Sequence, residues 1–390
     1  MNQWPDAATT LPDDGTEGAL VGRVWRPGIG PSVVAVRETG VHDVTASFPT
    51  VRDLCETPDP AAQLCTADGE RIAGLDELLA NTPPDTRDPA LPWLLAPVDL
   101  QAVKAAGVTF VVSLLERVIE ERVRGEASGA AEVRERIRGL VGDDLASLRP
   151  GSEEAAALKE LLVAQGMWSQ YLEVGIGPDA EIFTKAPVLA AVGSATHAGV
   201  LASSRWNNPE PEMVIVVSSA GNVVGATLGN DVNLRDVEGR SALLLSKAKD
   251  NNASATLGPF VRLFDRNFGI DDVRKAAVTL TVEGDDGYRL DAVSSMSAIS
   301  RDPLDLVGQL IGPHHQYPDG AVLYLGTMFA PVGDRDAPGQ GFTHHDGDLV
   351  TIATPRLGAL VNRIRPSDAC EPWNFGLADL MRSLSARGAL

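Results

Sequence analysis

The chain has 390 residues, of which 44% are hydrophobic, so it is long and apolar enough to bury the core of one or two domains. Its formal net charge of −20 argues against binding to nucleic acid or to an anionic membrane surface, because both require clustered Lys and Arg. The three cysteines form no Cys-x-x-Cys pair, which disfavours a disulfide framework and a zinc site. The N-terminus lacks the basic start and apolar run of a signal peptide, and no apolar run approaches the ~18 residues of a membrane helix. We therefore expect a cytoplasmic metabolic enzyme.

The N-terminal part of the chain is rich in short β-like runs. Residues 19–24 and 32–36 are apolar and are bounded by Gly, Pro and Asp, and residues 81–97 are rich in proline. This pattern predicts a small β-rich N-terminal domain at residues 1–100. A larger catalytic domain is expected at residues 101–390.

Helical patterns follow, and then β-like segments dominate. Residues 109–124 place apolar side chains at helical spacing, and residues 130–148 and 153–172 also read as helices. From residue 181 onward, strand patterns prevail. The expected fold class is α+β, mostly β, in which a mixed β structure carries a helical lid.

Two carboxylates one residue apart, Glu210 and Glu212, stand at the entrance of an apolar strand. Side chains alternate along a strand, so both point to one face, and Pro211 between them places them at a strand start or edge. The chain then turns and returns as a second strand, which brings Asp231 back to the same end. Three oxygen ligands suit Mg²⁺ first, with Mn²⁺ and Ca²⁺ as alternatives. A solvated strand edge is the competing interpretation of the acidic pair.

An ordered set of motifs resembles the fumarylacetoacetate hydrolase superfamily. It comprises a Lys-Pro strand, the acidic pair, an Asn-Asp followed by Arg-Asp, a lysine, a Leu-Gly-Pro run, a Gly-Thr loop and a closing hairpin. These pieces are residues 182–187, Glu210 and Glu212, 230–236, Lys249, 257–259, 326–327 and 346–362. The resemblance covers about residues 100–365. It implies a mixed β-sandwich or roll with a helical lid.

The central block is similar to that of a subgroup of bacterial dehydratases that act on 2-keto-3-deoxy-pentonates. In the acylpyruvate hydrolases of the superfamily, a His-x-x-Glu pair in the lid activates water. Here Glu116 keeps the glutamate, whereas Ser113 stands at the histidine position. Histidine suits the role of base near neutral pH, so its absence disfavours hydrolysis.

The resemblance implies Mg²⁺-dependent dehydration of a xylonate- or arabinonate-derived 2-keto-3-deoxy-pentonate to 2,5-dioxopentanoate. The 2-keto acid would chelate the ion, which would stabilise the enediolate formed when a C3 proton is removed. The implied site residues are Glu210, Glu212 and Asp231 as metal ligands, Glu116 and Lys249 as catalytic groups, and Lys185, Arg235 and Thr327 as substrate contacts.

Two other functions stay open at this point. A hydrolase of acylpyruvates or 2,4-diketo acids would need a histidine from another loop, for which His314 and His315 are candidates. A non-catalytic binder with the same fold is disfavoured because every expected metal carboxylate is present. The family also implies a homodimer or homotetramer.

Overall fold

The computed structural model describes residues 4–141, 148–164, 166, 168–327, 329, 331 and 333–390. The helices are α1 (Ala7–Thr10), α2 (Val51–Cys55), α3 (Pro60–Thr66), α4 (Leu75–Ala80), α5 (Val111–Arg122), α6 (Ala130–Val141), α7 (Glu153–Ala164), α8 (Gln170–Ile176), α9 (Arg235–Glu238), α10 (Leu245–Lys249), α11 (Ile270–Lys275), α12 (Pro303–Leu310) and α13 (Leu377–Ala386).

The N-terminal strands are β1 (Leu20–Arg26), β2 (Gly30–Arg37), β3 (Gly40–Asp43), β4 (Glu70–Ala73), β5 (Trp93–Leu95) and β6 (Ala102–Ala106). The middle strands are β7 (Ile182–Ala186), β8 (Thr196–Val200), β9 (Asn207–Asn208), β10 (Pro211–Val217), β11 (Val223–Asp231), β12 (Asn233–Leu234) and β13 (Ala255–Leu263). The last strands are β14 (Ala277–Glu283), β15 (Arg289–Ser295), β16 (Ala321–Tyr324), β17 (Leu349–Thr354) and β18 (Gly358–Pro366).

Two mixed sheets face each other across the main core. In the described chain, the larger sheet has the order β4-β3-β2-β1-β13-β11-β10-β16-β6-β7, with β5 also paired to β1. The smaller one has the order β15-β14-β17-β18-β8. Apolar residues of β10 and β11 pack with those of β14, β17 and β18 in one buried cluster. The expected α+β class with mixed sheets is confirmed, and helices and strands contribute about equally to it.

The N-terminal strands extend the larger sheet. The predicted runs at residues 19–24 and 32–36 are confirmed as β1 and β2, and β1 pairs with β13 through Leu20 opposite Arg262. The Arg262 guanidinium also makes an ion pair with Asp14 at 2.6 Å. The domain boundary near residue 100 stays a prediction.

The helical segment forms a cover beside the sheet. The predicted helix at residues 109–124 is confirmed as α5, and its Leu114 and Val118 pack on Tyr171 and Leu172 of α8. The one predicted at 130–148 is confirmed as α6 up to Val141, and residues 142–147 lie outside the described ranges.

The prediction of a single helix at residues 153–172 is wrong. Helix α7 ends at Ala164, and Gly166 lies at φ +66°, a left-handed conformation that stops a helix. Helix α8 then begins at Gln170, because the Ser169 hydroxyl accepts a hydrogen bond from the Tyr171 N–H and caps a new first turn. Within the described ranges, no helix is both long and apolar enough to cross a membrane.

Candidate metal centre

The ends of β10 and β11 bring the three predicted metal ligands together. The two strands are antiparallel, with Glu212 opposite Gly229, and the Asp231 N–H donates to the Glu210 carbonyl at 3.0 Å. One carboxylate oxygen from each of Glu210, Glu212 and Asp231 lies within 4.8 Å of the others, and all three residues are buried. Gly229 is required beside them, because a Cβ at this position would lie 2.3 Å from the Tyr324 ring.

Three cations surround the carboxylates. Lys249 Nζ donates to Glu210 Oε2 at 2.8 Å and to Asp231 Oδ2 at 3.0 Å. Lys185 Nζ lies 2.9 Å from Asp231 Oδ1, and Arg117 of α5 donates to Glu210 Oε1 at 2.8 Å. Arg117 therefore connects the helical lid directly to a metal-ligand candidate.

Burial and mutual repulsion set the protonation of the cluster. Burial, together with the charges of Asp231 and Glu210, raises the pKa of Glu212 well above its usual value. Burial also opposes ionisation of Asp231, but Lys185 and Lys249 hold the pKa of Asp231 below its usual value. The cations thus neutralise only part of the cluster, and Glu212 is the carboxylate of the three that makes no ion pair with any described residue.

The donor set fits a hard divalent cation. Three carboxylates and no sulfur or imidazole ligand are the chemistry that Mg²⁺ prefers. The Oδ1 atom of Asp231 is buried and pairs with Lys185 Nζ at 2.9 Å, but it accepts no well-aligned hydrogen bond from a described residue. Glu212 accepts a hydrogen bond from the Gly326 N–H at 2.6 Å and makes no ion pair with a described residue. An added cation would therefore supply the positive charge that an ionised Glu212 needs and would complete the coordination of Asp231 Oδ1.

The pocket above the cluster includes most of the predicted site residues. Its free volume is about 20 Å³, room for roughly one water molecule. The lining residues are Ala106, Gly107, Val108, Ser113, Arg117, Glu181, Phe183, Glu210, Glu212, Asp231, Glu238, Lys249, Gly326 and Thr327. The three metal-ligand candidates, Lys249 and Thr327 thus share one pocket, as the sequence led us to expect.

Three predicted residues do not line this pocket. Both oxygens of Glu116 accept hydrogen bonds from Arg134 at 2.7 Å. Arg235 donates to Asn208 at 2.7 Å and lies near Glu116 and Glu120. Lys185 is fully buried beneath Asp231, where it donates to the Lys249 carbonyl at 2.7 Å. The assignments of Glu116 to catalysis and of Lys185 and Arg235 to substrate stay predictions, although these contacts favour positioning roles.

Two acidic residues that the sequence analysis did not assign also line the pocket. Burial, followed by the charge of Glu238, raises the pKa of Glu181 to about 7. Glu238 is buried, and its Oε2 atom accepts no hydrogen bond from any described residue. Glu181 lies four residues before Lys185, directly ahead of the Lys-Pro strand. This position next to the strand is the feature of the sequence that could have identified Glu181 as a pocket residue.

The histidines lie away from the pocket. His314 and His315 are exposed, and neither lines it. His344 is buried 3.2 Å from Asp348, and His197 pairs with Asp85. The sequence analysis placed Ser113 where the hydrolases of the superfamily have their lid histidine. The Ser113 hydroxyl donates to the Phe110 carbonyl at 2.9 Å.

Replacing Lys185 with Met is expected to lower the free energy of unfolding of the metal-free protein by about 3–5 kcal/mol. Removing one partner of a buried ion pair costs free energy, and here it leaves Asp231 with Lys249 as its remaining cation among the described residues. Guanidinium denaturation with a chelator present measures the effect. The matched control is Lys275→Met, an exposed lysine, which should change stability by less than about 0.5 kcal/mol. Equal stability of the two variants would contradict a structural role for Lys185.

Two curated proteins and one family are similar in sequence to the chain. Residues 196–365 match the fumarylacetoacetate (FAA) hydrolase C-terminal family. A probable 2-keto-3-deoxyxylonate dehydratase of Haloferax volcanii is 31% identical over 198 residues, which are 51% of this chain and 64% of that protein. A 2-dehydro-3-deoxy-D-arabinonate dehydratase of Saccharolobus solfataricus is 27% identical over 185 residues, which are 47% of this chain and 58% of that protein. The chain thus matches less than two thirds of the length of either relative.

Solved structures share the fold. A 2-keto-3-deoxy-D-arabinonate dehydratase complexed with magnesium and 2,5-dioxopentanoate superposes with a TM-score of 0.60 at 18% identity, covering 89% of this chain and 99% of that one. The fold expected from the motifs is therefore confirmed. Residues 196–365 match the fumarylacetoacetate hydrolase C-terminal family, and Glu210, Glu212 and Asp231 lie inside the matched range.

Proposed function

We propose that this chain is a Mg²⁺-dependent dehydratase that converts a 2-keto-3-deoxy-pentonate to 2,5-dioxopentanoate. The observation that carries the proposal is the buried carboxylate cluster, which shares its pocket with Glu181, a carboxyl group whose pKa is about 7. The two curated relatives are named as dehydratases of such acids, and the magnesium complex named above holds the proposed product. Mg²⁺ is the proposed ion, and Mn²⁺ and Ca²⁺ are the alternatives to test.

Glu210, Glu212 and Asp231 would hold the ion. When bound, Mg²⁺ supplies a Lewis acid that stabilises negative charge on a keto oxygen. Lys249 and Arg117 add positive charge to the same pocket, which favours an anionic 2-keto acid. The Thr327 hydroxyl and the backbone at Gly326 line the pocket as well. These groups together suit a small acid that carries a carboxylate, a ketone and hydroxyls.

We assign the proton transfers to Glu181. Its raised pKa makes the ionised form a stronger base than an ordinary carboxylate, so it can take the C3 proton at neutral pH. The C4 hydroxyl then leaves with that proton as water, and a double bond forms between C3 and C4. A proton next moves from C5 to C3, which leaves an enol between C4 and C5. Protonation of this enol at C4 and loss of its O–H proton give the aldehyde. The net change is the loss of one water molecule.

Glu116 is better suited to holding the lid. Both of its carboxylate oxygens already accept hydrogen bonds from Arg134, so neither is free to contact substrate. Glu238 lines the pocket, where its Oε2 atom lies 3.3 Å from Arg117 Nη1, and we assign it to the acceptance of a hydrogen bond from a substrate hydroxyl. A five-carbon acid exceeds the free volume of about 20 Å³, so the pocket must widen before substrate enters.

The test compares substrates of the two competing reactions. The purified protein is incubated with Mg²⁺ and with each enantiomer of 2-keto-3-deoxy-pentonate, and with acetylpyruvate as the hydrolase substrate, and products are identified by mass spectrometry. Dehydration of one enantiomer with no cleavage of acetylpyruvate is expected, since no histidine lines the described pocket. Pyruvate and acetate from acetylpyruvate, without dehydration, would instead support the hydrolase.

Assembly and location are further proposals. We propose a homodimer or homotetramer, which sedimentation equilibrium would measure. A cytoplasmic location agrees with the small metabolic acid proposed as substrate, and fractionation of the source cells would test it.

A further inference from the structure

A second pocket shares helix α9 with the pocket of the metal centre, since Glu238 lines one and Asp236 and Val237 line the other. Its volume is about 520 Å³, and it is lined by the end of the lid, the loop before β9, and helices α9 and α10. The lining residues are Arg124, Gly125, Glu126, Ala127, Ser128, Ser203, Arg205, Trp206, Asp236, Val237, Arg240, Lys247 and Gln340. We call this cavity the outer pocket.

Four cations converge on the outer pocket without partners. The side chains of Arg124, Arg205, Arg240 and Lys247 are exposed, and none makes an ion pair or hydrogen bond with a described residue. In a chain of net charge −20, partners of opposite sign are abundant elsewhere, so four unpaired cations at one cavity are not explained by the general surface.

The acidic residues of the outer pocket do not neutralise these cations. Asp236 accepts hydrogen bonds from the Ser204 hydroxyl at 2.7 Å and the Arg205 N–H at 2.8 Å, so its carboxylate is engaged by its own neighbourhood. Glu126 is exposed on the turn after α5. The cations outnumber the two acids, and the cavity therefore carries a net positive charge.

An unpartnered donor supplies independent support. Trp206 is 4% exposed and lines the outer pocket, and its indole N–H is buried and donates to no described residue. Gly341 packs beside the indole, since a Cβ at this position would lie 3.2 Å from the indole nitrogen. A buried N–H without an acceptor costs free energy, and a bound oxygen would relieve that cost.

We propose that the outer pocket binds a small multivalent oxyanion, through Arg124, Arg205, Arg240, Lys247 and the indole N–H of Trp206. Phosphate and carboxylate groups have the charge and acceptor geometry that such donors recognise. The ligand bridges the lid end to α9 and α10. The two parts already touch there, since a Cβ on Gly125 would lie 2.9 Å from the Asp236 carbonyl oxygen. The proposal does not depend on the dehydratase reaction.

Titration calorimetry tests whether the outer pocket binds an oxyanion. The Mg²⁺-loaded protein is titrated at constant ionic strength with inorganic phosphate and, separately, with succinate. Saturable binding of at least one probe is expected, and the preferred probe tells phosphate from carboxylate ligands. The variant R205Q/R240Q should bind at least tenfold more weakly. The matched control R266Q/K275Q removes two exposed cations elsewhere and should stay within twofold of the parent protein.

Two further variants distinguish specific binding in the outer pocket from nonspecific attraction to positive charge. W206F keeps an aromatic ring and the net charge but removes the indole donor, and it should weaken binding at least threefold. E212Q removes a metal-ligand candidate and should leave binding within twofold, which places the probe away from the metal centre. No saturable binding of either probe would overturn the proposal, as would equal losses in R205Q/R240Q and the control. Self-association that R205Q/R240Q abolishes, without anion binding, would also overturn it in favour of a contact between copies of the chain.

Discussion

Replacing Glu212 with Gln is expected to abolish Mg²⁺-dependent turnover and, at the same time, to stabilise the metal-free protein. Glu212 is a metal-ligand candidate, so Mg²⁺ affinity and turnover should each fall by more than about 100-fold. In the absence of metal, however, burial and the charges of Asp231 and Glu210 oppose ionisation of Glu212, so folding at neutral pH requires it to take up a proton. Glutamine is neutral without a proton and can still accept the hydrogen bond from the Gly326 N–H. The metal-free variant should therefore be more stable by about 1 kcal/mol or more at neutral pH.

The pH dependence of this difference has a definite sign. The folded-state pKa of Glu212 lies well above its ordinary value of 4.5, so the folded protein retains a proton that the unfolded chain releases. The metal-free parent protein must then lose stability as the pH rises above about 4.5, whereas the variant has no such group. The gap in melting temperature should widen with pH and close when Mg²⁺ is added to the parent protein.

Melting curves of both proteins with chelator and with Mg²⁺ measure these effects. Glu160→Gln, at an exposed position of α7, is the matched control and should behave as the parent protein does. A metal-free E212Q that melts below the parent protein, or one that binds Mg²⁺ with undiminished affinity, would contradict the assignment of Glu212 to the metal.

Replacing Glu181 with Gln is expected to lower kcat by about 10²–10⁴-fold while leaving Mg²⁺ affinity unchanged. This range is the usual contribution of a general acid or base, and Glu181 is not among the ligand candidates. Because its ionised form takes the C3 proton, activity should fall as the pH drops below its pKa, which is about 7 in the metal-free structure. A bound cation lowers that pKa, so the acidic limb of the loaded enzyme lies at or below 7.

Glu116→Gln is the control that decides between the two glutamates. It breaks the double hydrogen bond with Arg134, so it should loosen the lid and lower stability, but it should keep the acidic limb of the pH profile. Glu181→Gln should lose that limb. Loss of the limb in Glu116→Gln alone would return the proton transfers to Glu116.

The meeting of the three carboxylates could be predicted from the sequence because it depends on local rules. The Glu-Pro-Glu spacing, the strand that follows and the short return to Asp231 fix the three carboxylates at one end of two paired strands. Alternation along a strand and the geometry of a hairpin are enough to bring them together. The same rules gave β1, β2 and α5 close to their observed bounds.

The proposed acid–base group, Glu181, could not be predicted because its pKa depends on burial and on residues that are distant in the sequence. Glu181 owes its raised pKa to burial and to Glu238, which lies 57 positions further along the chain. Glu116 has the sequence position of a catalytic residue, but Arg134 of α6 engages both of its oxygens. The spacing of residues along α5 predicts which side chains lie on the same face of the helix. It does not predict which charged residue of another helix contacts that face.

The most direct measurement of the central claim follows the conversion of 2-keto-3-deoxy-pentonate by proton NMR, with Mg²⁺ and then with excess chelator. We expect the C5 aldehyde signal of 2,5-dioxopentanoate to grow in the presence of Mg²⁺ and to stop growing when chelator is added. With E212Q the signal should be absent. The contradicting result would be unchanged substrate in the presence of Mg²⁺, or a product retaining the C4 hydroxyl.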